Sequence, residues 1–487
     1  MHKVKYKNCK EKGKKTIMGV FIQILSTVFL CFSCTNMGLI VAWPSSTITL
    51  FKSENTTLHR PMGNTEESLL GSLPAIGSLI SNPIAGLILD KLGRKKSAML
   101  TSLMFVLAWS MIAMATRVEV ILTAMLIGGL GFAIFLEVTI YISEICQDSI
   151  RGTMTAGPMQ FYFFGILVSY FLGGYLTYRQ MVYTCLSLSV IGVLLIAVLK
   201  ESPVTLMAGD REEDAAKSIA FYRSKKKNSP EVQEELDKLR RMFSPHTEDI
   251  QSLTKVEESL ELPLKSTKDM SCWQFFKNSP STQREFFVIM VMKVAFVLQG
   301  LPVVQVYAEP MFAEAVPSGV ISPNLCCVLM GVVTLISGTI AACLTDIVGR
   351  RPLIIYSSIA AGFCCAVLGT QILTEWGPKW TIPLFMYVYT VFYTFGAGTV
   401  PVVVLAEVFL PQVKSIMSML LVEWAWIVEF LILFVFNLLV AAVGLSPVFY
   451  LFSFVCFTTA IFFYYFLPET KGLPVYAIQE LFTKRVC

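Results

Sequence analysis

Charged side chains are scarce in this chain. Of its 487 residues, 15% are Asp, Glu, Lys or Arg and 55% are hydrophobic, and the mean hydropathy is +0.64. A soluble globule of this size needs more charge on its surface, so a soluble fold is excluded. Histidine occurs only three times, and the sequence contains no nucleophile motif, metal-binding cluster or phosphate loop. An enzyme is not expected, and neither a cofactor nor a metal is implied.

The 13 cysteines do not indicate a disulfide framework. Most lie inside apolar runs, as Cys326-Cys327 and Cys364-Cys365 do, where a thiol behaves as a small apolar side chain. The net charge of +5 does not indicate a nucleic-acid partner, because the cations lie in short loops beside apolar runs. In that position they orient a membrane protein.

Twelve apolar runs are long enough to cross a bilayer core of about 30 Å. They occupy residues 17–43, 67–89, 97–116, 119–145, 153–177, 181–199, 286–308, 319–344, 353–373, 381–408, 416–441 and 446–467. Six precede a polar stretch and six follow it, so we expect an all-α membrane protein of twelve transmembrane helices in two pseudo-symmetric halves. The predicted divisions are a basic tail (1–16), a first half (17–200), a helical linker (201–283), a second half (284–467) and a second tail (468–487).

Lysine-rich segments predict that both termini face the cytoplasm. The first apolar run is too long for a secretory signal and lacks a small-residue cleavage site, so we expect a retained first helix. The following loop would then face outside, and it contains Asn55-Thr56-Thr57, an acceptor sequence for N-glycosylation. We expect a plasma-membrane, multi-pass protein that is a monomer.

The polar linker contains a helix signal that begins at Ser229-Pro230. Val232, Leu236, Leu239 and Phe243 fall on one face of that helix. The segment predicts a short cytoplasmic helical bundle that joins the halves, and not a catalytic domain.

One charged segment occurs twice. Asp90-Lys91-Leu92-Gly93-Arg94-Lys95-Lys96 lies between two apolar runs, and Asp346-Ile347-Val348-Gly349-Arg350-Arg351 repeats its order of acid, apolar residue, glycine and cations in the second half. An internal repeat of this length is typical of duplicated transmembrane bundles. Glycine suits a tight turn, and the cations suit the cytoplasmic side.

Further motifs match the same pattern. Glu144 is followed by Arg151-Gly152, Glu201-Ser202-Pro203 follows the sixth run, Glu407 precedes Lys414, and Pro468-Glu469-Thr470-Lys471-Gly472 follows the last. Together they resemble the sugar porter family of the major facilitator superfamily, and most of all the insect facilitated trehalose transporters. The chain departs from the family at Thr139, where proline is usual, and at Lys414-Ser415, where Arg-Gly is usual.

The resemblance implies transport by alternating access, in which ion pairs at the cytoplasmic helix ends hold the cytoplasmic opening closed while the outer one is open. The positions that match the family's gate are Asp90, Arg94, Lys95, Glu144, Arg151, Glu201, Asp346, Arg350, Arg351, Glu407, Lys414 and Glu469. Exposed ion pairs contribute only about 0 to 1 kcal/mol each, so such a latch can open thermally. The competing interpretation is that these charges only mark cytoplasmic loops.

The substrate site resembles the family less closely. Gln160 matches a glutamine that sugar porters use for hydroxyl contacts, although helix packing explains it equally well. On the seventh run only Gly300 of the family's amide motif is kept, and Gln299 and Gln305 could offer replacement amides. The tryptophan usual on the tenth run is Val402, and the arginine usual on the fourth is Ala124. Candidate substrate-binding residues are Gln160, Gln299, Gln305 and Trp426.

The predicted membrane interior also carries ionisable residues, Glu137, Lys293, Glu423 and Glu429. Each costs at least about 2.5 kcal/mol at mid-bilayer, and such groups usually face a partner or an aqueous cavity. Lys293 can pair with one acid, which leaves two that could carry a proton or contact a cationic substrate.

We therefore expect a facilitated transporter of trehalose or a hexose. Two alternatives stay open, a proton-coupled transporter of another small solute and a nutrient sensor that keeps the fold without transporting.

Overall fold

The computed structural model describes residues 2–243, 272–315 and 321–484, and the described part is built of helices. Twelve long helices, named α1 to α12 in chain order, form the bundle. Their bounds are His2–Lys52, Asn64–Leu92, Arg94–Met114, Val118–Ile145, Gly157–Tyr175, Tyr178–Val198, Pro280–Val306, Pro323–Val348, Arg350–Thr374, Thr381–Val408, Pro411–Val443 and Leu445–Phe466. Six precede the linker and six follow it, as predicted from the apolar runs, while the exact domain boundaries stay predictions.

Eleven of these helices are long and apolar enough to cross a membrane. The remaining one, α5, has 19 residues and no ionised side chain, but Gln160 and several tyrosines dilute its apolar character. It packs mainly against α1 and α8. The surface that α5 leaves exposed is apolar, since Phe164 and Phe171 are 41% and 52% exposed.

Helix α1 extends beyond the predicted end of its apolar run at residue 43. It continues through Pro44 to Lys52, although proline removes a backbone donor and normally ends or kinks a helix. The hydroxyls of Ser46 and Thr47 donate to the carbonyl of Trp43 at 3.3 and 3.0 Å. The donor that Pro44 lacks would have served the carbonyl of Ile40, and the helix nevertheless continues on both sides of the proline.

Helix α7, by contrast, is broken where the sequence predicts one run over 286–308. Its first part ends at Leu298, Gly300 adopts a φ of 102°, and a second part covers Leu301–Val306. A left-handed backbone favours glycine, and Pro302 starts the new helix at a position where its missing donor costs nothing. A short helix, Ala308–Ala315, follows.

Glycines on α4 allow helices to approach closely, which is the packing role predicted for Gly128, Gly129 and Gly131. A Cβ atom on Gly129 would lie 2.2 Å from the carbonyl oxygen of Pro74 on α2. A side chain does not fit there, so the helix contact depends on glycine.

The linker forms short helices at Pro203–Ala208, Glu212–Arg223, Pro230–Phe243 and Cys272–Asn278. Val232, Leu236 and Leu239 are buried against Leu206 and neighbours, which confirms their predicted face. The prediction for Phe243 is wrong, because this residue is 45% exposed. It ends its helix and so projects beyond the helices that cover the others.

The two halves lie side by side, and equivalent ends of their helices lie at the same end of the bundle. Near the start of α5, Gln160 accepts a hydrogen bond of 3.0 Å from Thr339 near the end of α8, whereas Gly174 near the end of α5 lies against Asn324 at the start of α8. The loops at Gly93 and Gly349 therefore lie at the same end of the bundle, which we name the signature face. The other end is the opposite face.

Candidate functional site

The loop between α2 and α3 is closed by a carboxylate from beyond α6. Gly93 has a φ of 87°, and Glu201 Oε1 accepts hydrogen bonds from the backbone N–H groups of Lys95 at 3.0 Å and Ser202 at 2.9 Å. A Cβ atom on Gly93 would lie 2.9 Å from Glu201 Oε2. The glycine is needed both for the backbone angle and for this approach, and the negative charge stabilises the start of α3.

The second half repeats the arrangement. Gly349 has a φ of 101°, and the carboxylate of Glu469 accepts from the N–H groups of Arg350 and Arg351 at 2.9 and 3.0 Å. A Cβ atom on Gly349 would lie 2.8 Å from Glu469 Oε2. The sequence repeat is thus a repeat of structure, a carboxylate that caps a helix after a glycine turn.

An arginine–glutamate pair stands beside each cap. Arg94 Nη2 lies 2.9 Å from Glu144 Oε1, with side chains 17% and 13% exposed. Arg350 Nη2 lies 2.6 Å from Glu407 Oε1, with side chains 8% and 28% exposed. Guanidinium and carboxylate meet here through two nitrogens each, the geometry that makes such pairs strong.

A hydroxyl completes each pair. Ser202 donates to Glu144, and Thr470 Oγ1 donates to Glu407 Oε2 at 2.9 Å. Neither hydroxyl was among the predicted gate residues, although both belong to the predicted motifs and directly follow the capping glutamates. Their position in those motifs was the signal that could have identified them.

Of the other predicted gate residues, Asp346 accepts a hydrogen bond from Arg350, and the rest lie at the edge of these clusters. Asp90 is 4.0 Å from Arg94 and Asp346 is 3.2 Å from Arg350, both with acids about four-fifths exposed. Three of the remaining four donate to backbone carbonyls, namely Lys95 to Ala197, Arg351 to Tyr464 and Lys414 to Ala406. The fourth, Arg151, pairs with Asp148. All of these ion pairs join residues of the same half. Their role as a gate stays a prediction.

At the opposite face, contacts cross between the halves. The N–H of Glu309 donates to Ser45 Oγ at 2.9 Å, and Thr49 Oγ1 donates to Glu309 Oε2 at 2.8 Å. Burial raises the pKa of the Glu309 carboxyl above its usual value. This residue was missed at the sequence level, because it lies in a short segment with no charged neighbour pattern.

The same segment also contacts α11. Tyr307 donates its hydroxyl to the carbonyl of Leu433 at 3.1 Å, and its ring stacks on Phe436 with centroids 5.1 Å apart. On its other side lies Gly71 of α2, where a Cβ atom would be 2.7 Å from the Tyr307 hydroxyl. The break in α7 thus places its second part against helices of both halves.

Between the two faces, the predicted substrate residues occupy different positions. Gln305 Oε1 accepts from the Tyr162 hydroxyl at 3.3 Å, and its backbone carbonyl accepts from Tyr170 at 2.7 Å. Gln160 bonds to Thr339 of the other half, as described above. Both amides therefore lie at the junction of the halves, where a solute crossing between them would pass.

Gln299 is fully buried and donates to Ser358 at 3.1 Å, so it lies within the second half and not at the junction. Trp426 of α11 is partly exposed and lies 5.8 Å from the ring of Phe132 on α4. Of the four predicted residues, Gln160, Gln305 and Trp426 contact the other half.

The intramembrane charges have different surroundings. Glu137 is completely buried and accepts hydrogen bonds from Ser97 and Thr101 of α3. Lys293 is 9% exposed, and we find no carboxylate within 4 Å of its ammonium group in the described part of the chain. The predicted pairing of Lys293 with one of the three acids is therefore not observed.

The two acids of α11 face the first half. Glu423 lies beside the side-chain amide of Asn82 on α2. Glu429 lies in the electrostatic environment of Tyr162 and Tyr393. One further buried acid, Glu285 of α7, was missed, because it stands at the polar start of its run.

The sequence matches the family described as sugar (and other) transporter over residues 28–482. The facilitated trehalose transporter Tret1 of Culex quinquefasciatus is 24% identical over 477 residues, which is 96% of this chain and 87% of that protein. Tret1 of Aedes aegypti is 23% identical over 477 residues, 96% of this chain but only 56% of that protein. These relatives are transporters and not enzymes.

Solved structures give the same result for the fold. The xylose transporter XylE from E. coli in an inward open conformation superposes with a TM-score of 0.69 at 18% identity, over 94% of this chain and 99% of that one. A D-xylose-proton symporter gives 0.70 at 19%, over 94% and 100%. The predicted twelve-helix major facilitator fold is confirmed. Since the family match covers nearly the whole chain, this multi-pass membrane protein belongs to the sugar transporter family.

Proposed function

We propose that this protein carries trehalose or a hexose across the membrane by facilitated diffusion, through alternating access between its two halves. The observation that carries the proposal is the different bonding at the two faces. Polar contacts such as Glu309 to Ser45 link the halves at the opposite face, while the ion pairs of the signature face each lie within one half. Two rigid halves joined at one end can rock about the solute.

The signature face is the cytoplasmic side in this proposal, because its loops carry the excess of lysine and arginine. Both termini then lie in the cytoplasm of a cell whose plasma membrane holds the protein as a monomer. Asn55, which is exposed in the loop after α1, lies outside and is available for glycosylation.

In the proposed cycle, the helix caps and the arginine–glutamate pairs keep each inner rim rigid. When the inner mouth closes, the rims meet, and the exposed acids Asp90 and Asp346 come within reach of cations from the other half. A set of weak pairs can bias two states that differ by a few kcal/mol without locking either one.

Counterflow of labelled sugar in proteoliposomes tests the proposal. We expect uptake of trehalose or glucose against preloaded sugar, without any ion gradient. Gln305→Ala removes an amide at the junction of the halves, and we expect its KM to rise several-fold, since one hydrogen bond is worth about 1 kcal/mol. The matched control is Gln283→Ala, whose side chain is exposed and binds carbonyls of its own half.

A second candidate is proton-coupled transport of another small solute, which Glu423 and Glu429 favour because no ion pair satisfies either carboxylate among the described residues. Uptake at two external pH values separates the two functions. A steep rise in acid that a Glu→Gln change abolishes would contradict uniport. A sensor would instead bind sugar without any counterflow.

A further inference from the structure

The inner surface of α11 carries one acidic residue at the level of the bundle centre. Glu429 is near the middle of Pro411–Val443. On the same side of the helix lie Trp426, one turn before it, and Leu433, one turn after it. Trp426 contacts Phe132 of α4, and the carbonyl of Leu433 binds Tyr307. Glu429 thus lies between a contact with the first half and a contact with the inner segment that follows α7.

The lipid-facing side of α11 is different in character. Ile427, Leu431 and Val435 are 37%, 52% and 43% exposed, as expected for side chains that face hydrocarbon. Glu429 is also partly exposed, but on the inward side of the helix. Its carboxyl is therefore on the side of α11 that faces the bundle, and not on the lipid-facing side.

Two tyrosines lie within electrostatic range of this carboxyl. Tyr162 of α5 and Tyr393 of α10 lie in its electrostatic environment, and the Tyr393 ring is 6.1 Å from that of Phe296. Both tyrosine hydroxyls are already committed, Tyr162 to Gln305 and Tyr393 to the carbonyl of Phe296. Tyr393 is 2% exposed, whereas Tyr162 is partly exposed and can present its ring to a bound solute.

Glu429 has no bonding partner in the described part of the chain. Among the described residues it forms neither a hydrogen bond nor an ion pair, whereas Glu137 is bonded to two hydroxyls. An unpaired carboxylate at mid-bilayer is costly and usually marks a substrate or ion path. A neutral sugar does not compensate this charge, but a solute with an ammonium group does, and aromatic faces add cation–π attraction.

We propose that the central site takes a solute carrying a protonated amine, with Glu429 pairing the ammonium group and the partly exposed rings of Trp426 and Tyr162 beside it. Within the proposed function this means an amino sugar, whose hydroxyls meet Gln305 while its amine meets Glu429. The inference rests on the proposed transport function and names the substrate class of the same site.

The test compares three hexoses in counterflow, glucosamine, N-acetylglucosamine and glucose, at a pH where the amine is protonated. The N-acetyl compound keeps the ring but lacks the charge. We expect wild-type protein to prefer glucosamine over N-acetylglucosamine by about tenfold in KM, which equals about 1.4 kcal/mol. In Glu429→Gln this KM ratio falls toward one. Glu423 is an acid on the same helix beside Asn82, and Glu423→Gln leaves the ratio unchanged.

A second measurement uses wild-type protein alone, in case Glu429→Gln does not fold. Net uptake of a protonated amino sugar carries positive charge into the vesicle, so it produces a current on a supported membrane, whereas glucose produces none. Equal counterflow of all three hexoses, a preference that survives Glu429→Gln, or a current with glucose driven by a pH gradient overturns the inference while the transport function stands. If no hexose shows counterflow, the proposed function fails as well.

Discussion

Replacing Arg350 with alanine removes the cation from a pair that is largely withdrawn from water. Its guanidinium binds Glu407 at 2.6 and 3.2 Å and the carbonyl of Thr345 at 3.1 Å. Breaking a buried pair costs about 3 to 5 kcal/mol, because the remaining charge loses its partner. Glu407 is 28% exposed and stays partly hydrated, so we expect the free energy of unfolding to fall by about 3 kcal/mol.

The matched control is Arg151→Ala. Its pair with Asp148 is just as short, at 2.6 Å, but the side chains are 47% and 91% exposed. Exposed pairs contribute about 0 to 1 kcal/mol. The two variants thus separate burial from distance as the cause of stability, since both remove one arginine from the same face.

The measurement is denaturant unfolding of the purified protein in detergent, with the double variant Arg350→Ala, Glu407→Ala to close a thermodynamic cycle. We expect a coupling energy of about 2 kcal/mol between the two residues. Arg350→Lys should recover only part of it, because lysine cannot bind both carboxylate oxygens in one plane. If Arg350→Ala and Arg151→Ala differ by less than about 0.5 kcal/mol, which is the usual error of additivity, the argument from burial is wrong.

Three further predictions concern other parts of the bundle. Gly349→Ala should lower the melting temperature, because alanine is strained at a φ of 101° and its Cβ would lie too close to Glu469. The control Gly86→Ala, whose Cβ would meet nothing within 4 Å, should leave the melting temperature unchanged. Equal melting temperatures of the two variants would refute the role of the turn. Burial raises the pKa of Glu309, so the closed opposite face binds a proton more tightly than an open one, and closure weakens as pH rises above the usual carboxyl range. With a cysteine introduced at Asn324, labelling should increase with pH more strongly when Glu309 is present than in Glu309→Gln. A parallel response of both proteins would count against this prediction. In the linker, Leu236→Ala should cost about 2 to 4 kcal/mol of local stability, whereas Met242→Ala, at a 75% exposed position, should have no measurable effect in hydrogen exchange of the linker helices.

The sequence predicts the helices well because hydropathy acts on each run separately. The errors occur where neighbouring elements decide the outcome. The apolar run of α1 ends at Trp43, but the helix continues to Lys52, and its polar residues Ser45 and Thr49 bond to Glu309 of the other half. The run of α7 looks continuous, yet Gly300 breaks it, and the phenyl ring of Phe452 would lie 2.6 Å from a Cβ atom there. Such a contact with α12 cannot be read from local pattern.

For the site, sequence motifs identify residues but not their partners. Glu201 and Glu469 were expected as members of an ion-pair network, and they instead cap helices through backbone N–H groups. Backbone donors are the same in every residue, so no side-chain pattern reveals them. Glu429, in contrast, was recognisable as a charge in an apolar run, and only the packing of α11 shows which way it faces.

The position of the two capping carboxylates in the chain bears on the order of assembly. Glu201 follows the last helix of the first half, and Glu469 follows the last helix of the second, yet each completes a turn that was synthesised four helices earlier. A ribosome delivers these residues last, so each hairpin waits for its own half to be inserted before its amides are satisfied. A chain released after α5 or α11 would leave those amides uncapped, so neither half is complete until the residue after its last helix is in place.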